Sequence, residues 1–325
     1  WPTHFNPQKA TMTQPPEITL KSWVMVATLG LTWGATFIVI EIALRGITPF
    51  WLAAARIGFA AALMGLIWAV RGAPLFQARP TRTNLMTLLA AGAFSAATPF
   101  MLLSWGQQYV TSGFAGVSMA TGPLMVLPLA HFLVPGERMT WRKALGFVIG
   151  FCGVVVLIGG NAFESSGAAF ETPGRIACLG AATCYGFSSV LMRRLPAIDP
   201  IGLATVLLLI GSAIVVPVAW AVEGPPPMPD RQTLIVLAVL GLIPTAAANL
   251  LRVLVVRTAG PVFMSLTGYQ VPVWSVILGA LILSEPLPPS LLLAMGLILG
   301  GVGLSQYGAI SRLINSVRAR TPRHR

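Results

Sequence analysis

Residues 200–222 read PIGLATVLLLIGSAIVVPVAWAV, a run without a single charged side chain. A helix of that length crosses a bilayer hydrocarbon core of about 30 Å. Lipid offers no hydrogen bonds, so the backbone must satisfy itself within the segment, as a helix does. Nine further apolar runs flank this one. Together the predicted spans are 22–44, 49–70, 85–107, 112–134, 142–160, 175–192, 200–222, 232–254, 261–284 and 289–308.

The composition agrees. Hydrophobic types make up 55% of the 325 residues and charged types 9%. That is far below the roughly one quarter typical of a soluble domain. A soluble enzyme, a disordered chain and a nucleic-acid module with a solvated surface are all excluded by these proportions. Residues 1–20 are polar and Pro-rich without an apolar core, so no cleavable signal peptide is expected. Residues 1–11 precede Met12 and are left out of the fold reading.

A net charge of +12 resembles a polyanion-binding signal until the charges are placed. Lys9, Lys21, Arg71, Arg79, Arg82, Arg138, Arg142, Lys143, Arg193, Arg194, Arg252, Arg257 and the five arginines from Arg312 to Arg325 fall on one side of the predicted spans. The other side holds only Arg45, Arg175 and Arg231, with Glu164, Glu171, Glu223, Asp230 and Glu285. By the positive-inside rule both termini are expected in the cytoplasm of a cell whose inner membrane holds the chain. The expected partners are therefore the lipid bilayer and a small-molecule substrate, and no nucleic acid. The basic tail is placed to touch anionic lipid. Cys152, Cys178 and Cys184 lie in apolar runs, with no metal spacing and no disulfide framework, and no cofactor is expected.

The second half repeats the first at an offset of about 150 residues. Gly146, Gly150 and Gly153 match Gly296, Gly300 and Gly303. Trp33-Gly34 matches Tyr185-Gly186, Thr98 matches Thr245, and Glu137 matches Glu285. Each half carries an odd number of spans, so the halves must insert in opposite senses. The expected fold is an all-α integral membrane protein of ten transmembrane helices, arranged as two inverted five-helix repeats around a central cavity. The first repeat spans 22–160 and the second 175–308. The tails are 1–21 and 309–325. Such halves can exchange conformations and open a midplane site to alternate faces, which points to transport.

Several short motifs carry a family likeness: Trp33-Gly34-Ala35-Thr36-Phe37, Pro49 followed by Arg56, Gly122-Pro123, Gly136-Glu137-Arg138, Pro272 and Ser284-Glu285-Pro286. With the Gly-rich fifth and tenth spans, the chain resembles the EamA family of the drug/metabolite transporter superfamily over about residues 22–308. The resemblance implies a ten-helix secondary transporter, usually bacterial, often an exporter of amino acids or related metabolites. In the second half Tyr185 replaces Trp33 and Leu207 replaces Arg56, so the two halves do not use an arginine symmetrically.

Polar groups at membrane depth need protein partners or a wet cavity. Counting inward from the span ends places Trp33, Thr36, Ser95, Thr98, Thr121, Tyr185, Ser189, Thr245, Asn249, Tyr269 and Gln270 near the midplane. These are the candidate substrate-binding residues. The competing reading is that each Ser or Thr bonds back to its own helix. Pro99, Pro123, Pro244 and Pro272 each free a backbone carbonyl and favour a cavity wall. Arg56 and Glu41 are the intramembrane charges and are expected to pair. The alternatives are that Arg56 holds a substrate carboxylate or snorkels to the outer interface. With no proton relay in view, facilitated diffusion or exchange is expected. Gly146-x-x-x-Gly150 and Gly296-x-x-x-Gly300 are close-packing surfaces, either within a monomer or in a weak homodimer. The competing classes are a membrane-embedded enzyme, for which the three histidines leave little acid–base chemistry, and a channel or structural subunit.

Overall fold

The computed structural model describes residues 18–76, 79–133, 139–159 and 170–318. The Gly136-Glu137-Arg138 motif, Glu164 and both chain ends lie outside the described residues. The described residues are helical, with one isolated bridge between Phe76 and Ile198. In chain order the helices are α1 (Leu20–Ala43), α2 (Pro49–Val70), α3 (Arg82–Gly106), α4 (Ser112–Met119) and α5 (Gly122–Leu133). Then come α6 (Trp141–Gly159), α7 (Glu171–Arg193), α8 (Pro200–Glu223) and α9 (Arg231–Ala259). The last four are α10 (Pro261–Met264), α11 (Thr267–Leu283), α12 (Pro289–Ser305) and α13 (Tyr307–Arg318).

Among the described residues nine helical stretches are long and apolar enough to cross a membrane, and α12 is a shorter apolar helix. Large apolar side chains stay exposed on their outer faces, including Phe151 and Val155 on α6, Trp220 on α8 and Leu281 on α11. A belt of this kind is unstable in water and stable in lipid. The chain is a multi-pass helical membrane protein.

Three boundaries differ from the sequence reading. The fourth span is broken into α4 and α5 at Ala120–Thr121. Pro123 lacks an N–H, and the Thr121 hydroxyl donates to the Ser118 carbonyl at 2.7 Å. The eighth span runs on to Ala259, which carries Arg257 into the helix. Residues 307–318 are helical rather than a tail. Tyr307, Ile310, Leu313, Ile314 and Val317 recur at helical spacing, and a search for bilayer-length runs passes over so short an element.

The packing pairs helices from the two halves. α6 lies along α12, α2 along α8, α1 along α11, and α7 against both α3 and α5. Where α6 meets α12 the backbones touch. A Cβ on Gly146 would sit 2.5 Å from the Gly301 carbonyl, and one on Gly153 would sit 2.9 Å from the Ile298 nitrogen. Gly296, Gly300 and Gly303, by contrast, face open space. Packing within the chain therefore uses Gly146, Gly153 and Gly301 rather than the two G-x-x-x-G faces meeting each other.

The antiparallel pair α2 and α8 is fastened at both ends by acids. Glu223, at the end of α8, accepts from the N–H groups of Phe50 and Trp51 at 2.9 and 3.1 Å and from the Thr48 hydroxyl at 2.6 Å. These are first-turn donors that no helical carbonyl can reach. At the other end Asp199 caps α8 through the N–H groups of Ile201 and Gly202 and pairs with Arg71 at 3.3 Å. Partial burial raises the Asp199 carboxyl. The Gly202 N–H, Arg71 and the Ile201 N–H outweigh that and hold it below its ordinary value. Its contribution is thus present above the unfolded value near 3.8 and is lost as pH falls through the lower folded value. Asp199→Ala is expected to cost about 1 kcal/mol at pH 7, chiefly through the cap because the Arg71 pair is solvated. Thermal unfolding in detergent should show that difference shrinking towards pH 3.

Candidate functional site

The site starts from a break in α9. Residues Gly241–Ala247 form a wider π turn around Pro244. Proline cannot donate to the carbonyl four residues back, which is that of Leu240. The Thr245 hydroxyl takes it up at 2.9 Å. The Thr245 oxygen then accepts from Nε of Arg56 on α2 at 2.8 Å. Gly241 allows the approach, because a Cβ there would lie 2.8 Å from the Arg56 carbonyl. A proline-freed carbonyl, a hydroxyl and a guanidinium thus form one chain of hydrogen bonds.

Arg56 is only 6% exposed. Its guanidinium carbon sits 4.1 Å over the Phe100 ring on α3. Tyr185 on α7 lies within electrostatic reach of it, with its ring 6.4 Å from that of Phe100. A desolvated cation over an aromatic face gains about 2 kcal/mol. That does not offset a whole charge held away from water. The Nε edge is used by Thr245, and among the described residues no carboxylate pairs with the guanidinium.

The expected Glu41–Arg56 pair is therefore corrected. Glu41 is half-buried and lies within electrostatic reach of Glu285 and Arg45 at the far end of α1. Arg56 is turned towards α9 by Thr245. Glu285 is itself occupied, accepting from the Ser112 and Gly113 N–H groups at 2.8 and 3.0 Å, where it caps α4.

Around Arg56 the structure gathers Trp33, Thr245, Asn249 and Tyr185 from the predicted set. Trp33 Nε1 donates to the Pro244 carbonyl at 3.0 Å, and Asn249 donates its side-chain N–H to the Thr245 carbonyl. Gln270 packs on Gly30 and Trp274 on Gly34 along the α1–α11 seam, a turn from Trp33. Ser95, inside a second π turn at Ala93–Ala97, has a buried hydroxyl without a partner, as does Tyr269. Thr98 is half-buried at the end of that π turn. Thr36, Thr121 and Ser189 bond back to their own helices, at the carbonyls of Thr32, Ser118 and Gly186. Phe100, Trp274 and the two π turns were absent from the predicted set. Pro99 and Pro244 were the available signal for the turns, and nothing in the residue pattern singled out Phe100.

A helical membrane bundle that holds a buried cation with no carboxylate partner among the described residues carries a charge that a purely structural span would avoid. The chain belongs to the EamA-like transporter family, which it matches over residues 20–159 and 172–306. It is 27% identical over 285 residues to the uncharacterized inner membrane transporter YedA of Escherichia coli K12, covering 86% of this chain and 89% of that one. It is 30% identical over 142 residues to a probable terminal-alkyne amino-acid exporter of Streptantibioticus cattleyicolor, covering 43% of this chain and 46% of that one. An uncharacterized transporter of Archaeoglobus fulgidus is 30% identical over 138 residues, covering 42% and 48%. The chain thus spans about half the length of these last two relatives. A crystal structure 20% identical in sequence shares the fold, with a TM-score of 0.62 over 89% of this chain and 98% of that one.

Proposed function

We propose that the chain is a secondary transporter of the bacterial inner membrane that exports small zwitterionic metabolites, amino acids foremost, by alternating access. It works as a monomer or weak homodimer, with both termini cytoplasmic. The observation that carries this reading is Arg56, a buried cation with a hydroxyl on one edge, a ring beneath it and no carboxylate partner among the described residues. An intramembrane charge without a counter-charge from the protein marks a site whose counter-charge arrives as cargo. A substrate carboxylate supplies that partner through the guanidinium edge that Thr245 leaves free. Tyr185 and Phe100 offer apolar faces beside it, and Asn249 and Trp33 offer polar tips. Amphipathic small molecules fit this mixture.

Alternating access draws support from the pairing of helices. Exchanging each span with the one five places away maps the contacts onto themselves. The α1–α11 seam corresponds to α7–α5, α3–α7 to α9–α1, and α2–α9 to α8–α3, while α2–α8 and α6–α12 map to themselves. The π turns fall in the third and eighth spans, which correspond. Inverted repeats of this kind can trade conformations about a fixed site.

The test is uptake into proteoliposomes of a labelled neutral amino acid against the amine left when its carboxylate is removed. The amino acid is expected to move at least tenfold faster, to saturate, and to exchange without an imposed pH gradient. Equal transport of the amine would sink the carboxylate reading. Uphill accumulation driven by a pH gradient would replace exchange with proton coupling.

A further inference from the structure

The face of α9 that holds the site continues past it. Thr245, Asn249, Arg252 and Val256 follow one another at spacings of three or four residues, so they share one side of the helix. Leu254 and Thr258 lie on the opposite side and are exposed, as a lipid-facing side should be. The inward side should be covered like Thr245, which is 2% exposed. Instead Arg252 is exposed, and Val256 is 37% exposed. The neighbouring strip of the same helix, Ala248, Val255 and Ala259, is sealed against Val26, Leu29 and Phe263. Exposure on this last part of α9 thus includes the strip that leads from Thr245 as well as the lipid-facing side, and stops at the sealed strip.

α11 repeats the pattern at the same end of the bundle. Pro272, Ser275 and Gly279 lie on its inward side and are buried. Gly268 heads that side, yet it is exposed and has no atom within 4 Å of where a Cβ would stand. The inward-facing strip of each helix, the two being joined through α10, thus opens at this end of the bundle. Arg252 stands in that opening about 10 Å along the axis from Thr245. Among the described residues it has no hydrogen bond or ion pair.

We propose that Arg252 is the entry station for carboxylate-bearing substrates, in a water-filled cleft that runs along α9 to Arg56 from the end where α9 terminates. A carboxylate meets the Arg252 cation first and passes Asn249 to the Arg56 guanidinium. Two cations on one low-dielectric wall raise the local concentration of anionic groups and slow the entry of amines. The inference rests on the reading of Arg56 as the carboxylate site, and its test does not use Arg56.

Val256→Cys, in a chain whose Cys152, Cys178 and Cys184 are replaced by alanine, is treated with membrane-impermeant thiosulfonates. One carries a sulfonate and the other a trimethylammonium group. In inside-out vesicles Val256→Cys is expected to label, about tenfold faster with the anionic reagent. Adding Arg252→Gln should equalise the two rates, and Arg252→Lys should restore the preference. Leu254→Cys, facing lipid, should stay unlabelled. Failure of Val256→Cys to label from either side would overturn the cleft. Labelling at rates indifferent to residue 252 would overturn the station and leave the Arg56 site standing. A companion outcome concerns transport of the amino acid used above. Arg252→Gln should lower kcat/KM about tenfold with kcat nearly unchanged and should flatten its dependence on ionic strength. A merely structural arginine would move kcat and leave the salt dependence alone.

Discussion

Arg56→Gln is expected to remove at least nine-tenths of amino-acid transport while the protein still inserts, purifies and elutes as a single species. Glutamine can place its Nε2 where the Arg56 Nε donates to the Thr245 oxygen, so the α2–α9 contact survives although the group over the Phe100 ring is lost. The charge is lost, and with it the fork that binds a carboxylate. A hydrogen bond to a charged partner contributes about 1.5–3 kcal/mol, which is roughly one to two orders of magnitude in kcat/KM. Arg56→Lys separates charge from geometry. A lysine ammonium reaching Thr245 cannot also present two parallel N–H groups. It should therefore keep a fraction of the flux at a raised KM. Proteoliposome kinetics for the three proteins decide the matter, with circular dichroism confirming the helical fold. Wild-type flux in Arg56→Gln would assign the arginine a purely structural role.

Gly146→Leu should do the greater damage to the fold itself. The new side chain would enter the Gly301 carbonyl and the backbone nitrogen of Ser305, at 2.5 and 2.7 Å from its first carbon. Backbone cannot swing aside as a flexible side-chain tip can. α6 and α12 would have to separate along the seam that joins the ends of the two halves. In a membrane, close van der Waals packing of small residues is the main force between helices. Overpacking typically costs 1–3 kcal/mol in soluble cores, and a backbone-to-backbone contact sits at or above the top of that range. The expected readout is a collapse in the folded fraction recovered in mild detergent and a steep fall in thermal midpoint. Gly300→Leu is the control. Its Cβ meets open space, so a monomer should tolerate it. A comparable collapse for Gly300→Leu would reveal a second copy packed on that face.

Much of the architecture was legible because it follows from one-dimensional quantities. Spans of apolar residues announce membrane helices, and nine of the ten predicted spans correspond to helical stretches of crossing length. The repeat was traced through glycines and a few polar and aromatic residues at an offset of about 150 residues. The site was legible as chemistry and illegible as geometry. Arg56, Thr245, Asn249, Trp33 and Tyr185 were recognisable as polar groups at depth. Which of them meet depends on how α9 turns at Pro244, and a single π turn rotates every later side chain. That turn is how Thr245 comes to meet Arg56. Phe100 was invisible for a related reason. An apolar ring under a cation looks in sequence like any other core phenylalanine. Arg252 was counted with the cytoplasmic charges although it falls inside the predicted span 232–254, because it lies near the end of that span.

The dependence of Arg56 on Thr245 also bears on how the chain is made. On insertion scales an arginine at the centre of a span costs about 2.5–3.5 kcal/mol, and each Leu, Ile, Phe or Val returns about 0.3–0.6 kcal/mol. α2 has Phe50, Leu52, Ile57, Phe59, Leu63, Leu66, Ile67 and Val70 to set against Arg56. Entry of this segment into the bilayer is therefore close to balanced. Its polar partner on α9 is synthesised 189 residues later. Until that partner emerges, the second span carries its charge without the Thr245 oxygen, and its insertion rests on its own apolar residues.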